Sequence, residues 1–204
     1  TSDIKAQIYN ADGTPRGGEI AVATGAGQQQ NPVVTGTGDG RFVVAWEDQR
    51  SALSVVASSI RAHVYNPDGS SPASGSYADT FFVSTLNGPP GTHINPAIAA
   101  AANGRFMVTW QYDDGDIHAR SFNAAGPFEA DEFAITSTDH MVDPAIAGLA
   151  DGNYVVSWTD APAGIVLAQI FPGNAGTAAP GGPIADLTSG LSGFFDEVSL
   201  SARP

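Results

Sequence analysis

The sequence predicts an all-β protein, a β-propeller built from four-stranded antiparallel blades with about three and a half repeats in the chain. Three observations predict it. A segment that opens on Asn-Pro or Asp-Pro and closes on Trp recurs three times at one internal spacing, over Asn31–Trp46, Asn95–Trp110 and Asp143–Trp158. A second motif, Ile/Val-x-Ala followed by a Gly-rich stretch, recurs four times around Ala6, Ala62, Ala119 and Ala168. The apolar runs between these marks are short and rich in Val, Ile, Phe and Tyr, and none sustains a 3.6-residue period over the length of a helix.

The strands of one unit follow in order. Strand A comes after the Asn/Asp-Pro, as in Ala97-Ile98-Ala99-Ala100, where small residues suit the crowded axis of a propeller. The Asp-Gly and Asn-Gly steps at 39–40, 103–104 and 151–152 predict tight primed hairpin turns, with positive φ at both central residues. Strand B is the run that ends in Trp46, Trp110 or Trp158. Strand C carries Ile4-x-Ala6-x-Ile8 and its equivalents, whose alternation has the period of two of a strand. Strand D follows the next Gly-rich turn, as in Glu19-Ile20-Ala21-Val22 and Thr80-Phe81-Phe82-Val83. One domain over 1–204 is expected, with a half unit C–D at 3–24, full units at 31–85, 95–136 and 143–188, and a lone strand A at 194–202. That half-unit offset predicts that terminal pieces complete one another, within one chain or between two, and a homodimer is favoured because an open edge invites aggregation.

Composition narrows the function. Eight Lys and Arg against 21 Asp and Glu give a formal charge of −13, which argues against nucleic acid and anionic membranes, since both need a basic face. A 42% hydrophobic content is too high for a disordered chain. The absence of Cys excludes a disulfide scaffold and thiolate metal sites. No apolar run approaches the roughly 18 residues of a membrane span, so no membrane insertion is expected.

The units, of the type Asn-Pro, apolar run, Asp-Gly-Arg-Phe-Val-Val-x-Trp, then Ile-x-Ala-x-x-Tyr-Asn, resemble blades of secreted bacterial proteins, many of them RTX-type exoproteins, and stand-alone bacterial propeller lectins. The resemblance implies a secreted or cell-surface protein with glycans as partners. The chain departs from the Ser-x-Asp-x-Gly-x-x-Trp box of propeller glycosidases, because Thr37-Gly38-Asp39-Gly40 stands at the wrong distance from Trp46.

The turn after each Trp is the most chemically loaded place in the chain. It reads Glu47-Asp48-Gln49-Arg50, Gln111-Tyr112-Asp113-Asp114-Gly115-Asp116 and Thr159-Asp160. Sugar recognition needs planar polar side chains for hydroxyl pairs and an aromatic face for the apolar side of the ring. The expected ligand-binding set is therefore Trp46, Glu47, Asp48, Trp110, Gln111, Asp113, Trp158 and Asp160, with blade-to-blade packing as the other reading of the Trp slot. Asp113, Asp114 and Asp116 are candidate Ca²⁺ ligands, although the cluster lacks the spacing and terminal Glu of an EF-hand loop, and no other cofactor is expected. His63 and His118 fall on strand C, and His93 and His140 stand just before strand A, either facing solvent or forming polar donors at the blade entrances. No nucleophile motif, His-Glu-x-x-His or phosphate loop is present. Look-alike units argue against catalysis, so the expected function is a non-catalytic lectin. A structural or adhesion module of a large exoprotein is the alternative, and a glycoside hydrolase a third possibility.

Overall fold

A computed structural model describes residues 2–49, 58–75, 78–85, 91–102, 104–113, 115–123, 131–136, 140–173 and 185–186. The strand expected at 194–202 lies outside them.

The described elements are strands and turns. A hairpin of β1 (Ile4–Tyr9) and β2 (Pro15–Ala23) is followed by three four-stranded antiparallel sheets. The first holds β3 (Gln28–Gly36), β4 (Phe42–Gln49), β5 (Ser59–Tyr65) and β6 (Phe81–Phe82). The second holds β7 (His93–Ala100), β8 (Arg105–Tyr112), β9 (Asp116–Asn123) and β10 (Phe133–Ala134). The third holds β11 (Met141–Gly148), β12 (Tyr154–Asp160), β13 (Ile165–Phe171) and β14 (Ala185–Asp186). Strand order follows chain order in every sheet, and β7 touches both β3 and β11, so the first strands of the three sheets gather at the centre. This is the expected arrangement of propeller blades.

Two local details differ from the sequence reading. Each first strand starts before its Asn/Asp-Pro, and the dipeptide is a β-bulge inside it. The ladder of β3 with β4 skips between Gln30 and Val33, that of β7 with β8 between Ile94 and Ala97, and that of β11 with β12 between Val142 and Ala145. Proline has no N–H to give to a ladder, so it must stand where the ladder is interrupted. The residue before it takes left-handed backbone, with φ of 50° at Asn31, 52° at Asn95 and 53° at Asp143, a conformation that Asn and Asp tolerate better than most side chains.

The A–B hairpins of the first and third sheets are not primed turns. Thr37 N donates to Arg41 O and Gly40 N donates back to Thr37 O, with Gly40 at φ 85° and Asp39 not in positive-φ backbone. This is a turn closed by one left-handed glycine, the three-residue solution in which Gly alone carries the positive φ. Leu149–Asn153 repeats the pattern, as do the C–D turns Asn10–Thr14 and Asn66–Ser70. In each the Asp two residues before the exit accepts the exit backbone N–H, as Asp12 does for Thr14 and Asp68 for Ser70.

The core is divided among the seams between units. Trp46 packs with Val44 and Tyr65 against Ile4 and Val22 of the hairpin. Trp110 packs with Phe106, Val108 and Phe122 against Val43, Ala45, Ala62 and Val64 of the first sheet. Trp158 packs with Tyr154, Val156 and Phe171 against Met107, Ile117 and Ala119 of the second. The period of two sorts each second strand between its neighbours. On β8, Phe106, Val108 and Trp110 face backwards and Met107 faces forwards.

Because each indole fills a seam between two sheets, Trp110→Ala should cost about 3–5 kcal/mol of unfolding free energy by urea denaturation. Val34→Thr, at a position that is 65% exposed, should change it by less than about 0.5 kcal/mol. A Trp110→Ala loss below about 1 kcal/mol would contradict the seam assignment.

Candidate functional site

Strand direction sorts the loops. First strands run towards the A–B turns and second strands run back, so the bulges, the ends of β4, β8 and β12, and the B–C loops share one end of the stack. The A–B and C–D turns occupy the other end, where the described positive-φ positions are glycines: Gly13, Gly40, Gly69, Gly104 and Gly152. Among the described residues, the five non-Gly positions with positive φ are Asn31, Asn95, Asp113, His140 and Asp143, and all belong to the first end. Backbone of this kind persists where surrounding contacts fix it, and it gathers at functional sites.

Interactions at that end repeat from seam to seam. At the start of each third strand a small residue clasps the following unit two positions before its bulge. Ser2 Oγ donates to Gln29 O, and Gln29 N donates to Ser2 O. Ser58 Oγ donates to His93 O and accepts from His93 N, while the His93 ring bonds Ser58 O through Nδ1 at 2.9 Å. In the next seam Met141 N donates to Gly115 O at 2.6 Å, and a Cβ at Gly115 would lie 2.4 Å from His140 N, which is why this position is glycine.

Glu47 is the centre of a network between the first and second sheets. It is fully buried, and its Oε1 accepts from Asn31 Nδ2 and from the backbone N of Asn95, both at 2.7 Å, while Oε2 accepts from Gln30 Nε2 at 2.9 Å. One carboxylate thus ties the bulge of its own sheet to the bulge of the next. Gln111 stands at the equivalent place and accepts from Asn95 Nδ2 more weakly, at 3.4 Å. In the third unit the place belongs to Thr159, and the carboxylate of Asp143 is exposed, with no hydrogen-bond partner among the described residues.

A second polar group lies between the first and second sheets. Glu132 accepts from Thr85 N at 2.7 Å and pairs with His118 Nδ1 at 2.8 Å. The rings of His93, Trp110, Tyr112 and His118 gather beside it, with His93–Tyr112 and Tyr112–His118 centroids 5.0 and 5.1 Å apart. Burial pushes the Glu132 carboxyl up, but its bonds from His118 and Thr85 more than offset this and hold it below the ordinary carboxylate value. Burial also lowers His93 and His63, the latter bonded to Thr80 and Ser71 and stacked on Tyr65. Sequence reasoning missed Glu132 altogether, because Thr85 lies 47 residues from it in the chain.

The expected ligand set divides. Trp46, Trp110 and Trp158 are at most 1% exposed and offer no stacking face to a ligand, since the preceding unit covers each indole. Glu47 is closed to ligand, because three donors occupy its oxygens. Asp48 is buried and paired with Arg61 Nε at 2.7 Å. Gln111 holds Asn95. Asp113 is exposed and accepts from Thr92 Oγ1 through Oδ1 at 3.0 Å. Asp160 caps the following turn by accepting from Ala163 N. Glu47, Asp48, Gln111, Asp113 and Asp160 therefore share one end of the fold but are spread over three units. For Ca²⁺, Asp114 lies outside the described residues, Asp116 is half-buried at the start of β9, and no three metal-ligating side chains converge among the described residues. His93, expected in a loop, is 4% exposed and part of the clasp, whereas His140 is exposed.

The stacked four-stranded sheets define a β-propeller, and comparison with solved structures gives the same class. The chain is similar to the α-L-arabinofuranosidase of Fusarium graminearum in complex with an iminosugar inhibitor, at 11% identity and TM-score 0.57, covering 90% of this chain and 56% of that one. It is similar to the Penicillium chrysogenum α-L-arabinanase complexed with arabinobiose, at 14% identity and TM-score 0.50, covering 79% and 46%. It is also similar to the Phanerochaete chrysosporium exo-β-1,3-galactanase with β-1,3-galactotriose, at 9% and 0.50, covering 91% and 43%. The chain thus spans about half the length of these structures. No family model and no curated protein matches the sequence. These likenesses correct two expectations, the non-catalytic lectin and the absence of enzyme activity. The propellers that the chain resembles are glycoside hydrolases, and the tryptophans on which sugar stacking rested are buried. The likeness is to propellers as a class and does not extend to RTX repeats or lectins in particular.

Glu47→Ala should cost about 1–3 kcal/mol, because it strands buried donors, and Glu47→Gln less, since Gln111 shows that an amide fits this place. Equal losses in urea denaturation would contradict the tie. Acidification gives a second test. The native state holds His63 and His93 neutral below their ordinary 6.5, so the unfolded chain binds more protons there. Stability is full above about pH 7 and declines as pH falls through the ordinary value towards the depressed native ones. The urea midpoint should drop between about pH 7.5 and 5, and His63→Gln should shrink the drop. A midpoint that does not move would contradict the buried neutral histidines.

Proposed function

We propose that this chain is part of a carbohydrate-active β-propeller, a glycoside hydrolase acting on arabinose- or galactose-containing glycans at the end of the stack where the first strands begin. The observation that carries this reading is Asp143. It is the one of the three bulge residues with an acidic side chain, it is held at φ 53°, and its carboxylate is exposed on a central strand. At the matching positions of the other units an amide takes its place, and Glu47 and Gln111 hold those amides. The repeat is broken where a reacting group is needed, which answers the objection that look-alike units argue against catalysis.

Glycoside hydrolysis uses two carboxyl groups roughly 5–9.5 Å apart, one giving a proton to the leaving oxygen and one attacking the sugar or activating water. Asp160 stands opposite Met141 across β11 and β12, and Asp143 lies two residues further along β11, in the bulge. Asp143 is the proposed base or nucleophile and Asp160 the proposed acid. The arabinanase, arabinofuranosidase and galactanase likenesses support the substrate class. A secreted setting suits such a substrate. We further propose that a second copy of the chain completes the ring, a reading that a monomeric mass in solution would overturn.

Reducing-sugar release from arabinan and β-1,3-galactan tests the proposal. Asp143→Asn should lower kcat/KM by about 10²–10⁴-fold, with the fold intact by circular dichroism. Absence of hydrolysis of both polymers, or wild-type rates in both Asp143→Asn and Asp160→Asn, would overturn it.

A further inference from the structure

The stack of sheets leaves two apolar faces open, one at each end of it. Among the described residues three large apolar side chains are more than half exposed: Tyr9 at 61%, Val34 at 65% and Ile170 at 57%. Single exposed apolar residues are ordinary, but Tyr9 and Ile170 hold places that are buried in the other units. Tyr9 stands three residues after the Ala of its Ile-x-Ala motif, as do Tyr65, Phe122 and Phe171, which are at most 3% exposed. Ile170 stands two residues after that Ala, where Val64 and Ser121 are fully buried. Val34 lines a 390 Å³ apolar cavity beside β1, on the flank of the hairpin that carries Tyr9.

The seams inside the chain show what such places meet. Between the first and second sheets, Phe122 clusters with Val43 and Val64, which are register partners across β4 and β5. Between the second and third, Phe171 clusters with Met107, whose register partner on β9 is Ser121. The aromatic residue near the end of each third strand thus points at the unit before, onto a pair from that unit's second and third strands. Tyr9 has the same direction. Ile8 beside it faces the first sheet, where a Cβ on Gly69 would lie 3.3 Å from Ile8 Cδ1, so the alternation of β1 turns Tyr9 the other way. Phe171 packs on the second sheet, so the alternation of β13 turns Ile170 away from that sheet. The register partner of Ile170 is Val155, which is half-buried, whereas Val43 and Met107 at its place are fully buried. The hairpin offers the aromatic half of a seam and the third sheet the aliphatic half, and both are open in the same chain.

We propose that a second copy of the chain joins the first head to tail, with Val155 and Ile170 of one copy packed on Tyr9 of the other, in the way that Val43 and Val64 pack with Phe122. The occupant is a second copy because each face is one half of a seam that the chain already builds within itself. Such a contact is heterologous, since two different faces meet, and a ring of copies leaves neither face open. A formal charge of −13 on each copy opposes association, so apolar burial carries the contact, and an Asp placed in either face adds like charge to lost burial. The inference rests on the second-copy part of the proposed function and is independent of the hydrolase reading.

Sedimentation of the full chain over a range of concentrations tests it, and the mass of two chains is the expected result. Tyr9→Asp and Ile170→Asp fall at exposed places, so each should keep the fold by circular dichroism and weaken the dimer at least about 10-fold. Ala102→Asp, at an exposed turn outside both faces, should leave it unchanged. Mixing the Tyr9→Asp and Ile170→Asp chains should restore association that neither shows alone, because one junction then has both faces sound, whereas a contact between two like faces would not recover. A monomeric wild type would overturn the inference together with the second-copy reading. A dimer that both substitutions leave intact, or that mixing fails to restore, would overturn the two faces and leave the second copy standing. Should Tyr9→Asp fail to fold, Tyr9→Ser takes its place in every arm.

Discussion

A four-stranded sheet that is apolar on both faces cannot stand in water alone. Each second strand of this protein alternates apolar residues towards the unit before and the unit after, so every sheet needs a neighbour on each side. Stacking about a common centre follows from that requirement, and the tryptophans mark it, one per seam. The same constraint explains why small residues such as Ala97, Ala99 and Ala100 crowd the first strands, where the sheets converge.

Stacking has a polar counterpart. Where the first strands begin, the bulges expose backbone N–H groups that the ladder no longer uses, and buried side chains must satisfy them. Glu47 does so across two sheets and Ser58 by clasping the next unit, while in the third seam the backbone carbonyl of Gly115 takes that part. The opposite end needs none of this, because its hairpins close on left-handed glycines and Asp caps. One end of the fold is therefore a set of self-contained turns, and the other a network in which each unit depends on the next. That network also holds a departure from the repeat, the carboxylate of Asp143 where the other units carry the amides of Asn31 and Asn95.

The negative charge reads differently once it is placed. Asp12, Asp39, Asp68 and Asp151 cap turns at the glycine end. Glu47, Asp48 and Glu132 are buried, and their roles are to bond backbone, amides, Arg61 and His118. At the other end the carboxylates of Asp113 and Asp143 are exposed.

Strand order, turn positions and the three-and-a-half-unit repeat were legible in the sequence because they depend on local preference: period-two alternation, Gly where φ must be positive, Asp where a turn must be capped. The Asn/Asp-Pro was visible as a mark, but its nature as a bulge was not, since a bulge exists only relative to the partner strand that it slips against. The turns after the tryptophans were rightly seen as polar, yet sequence could not tell a buried carboxylate from an open one. What covers Trp46 or Glu47 is the neighbouring unit, and Asn95 reaches Glu47 from 48 residues away. Sheet-on-sheet packing decided these matters: which aromatic faces are lost to a seam and which acids are consumed as ties. Local sequence sets the backbone and the face of each residue, but burial is a property of two surfaces brought together, and only the tertiary structure holds both.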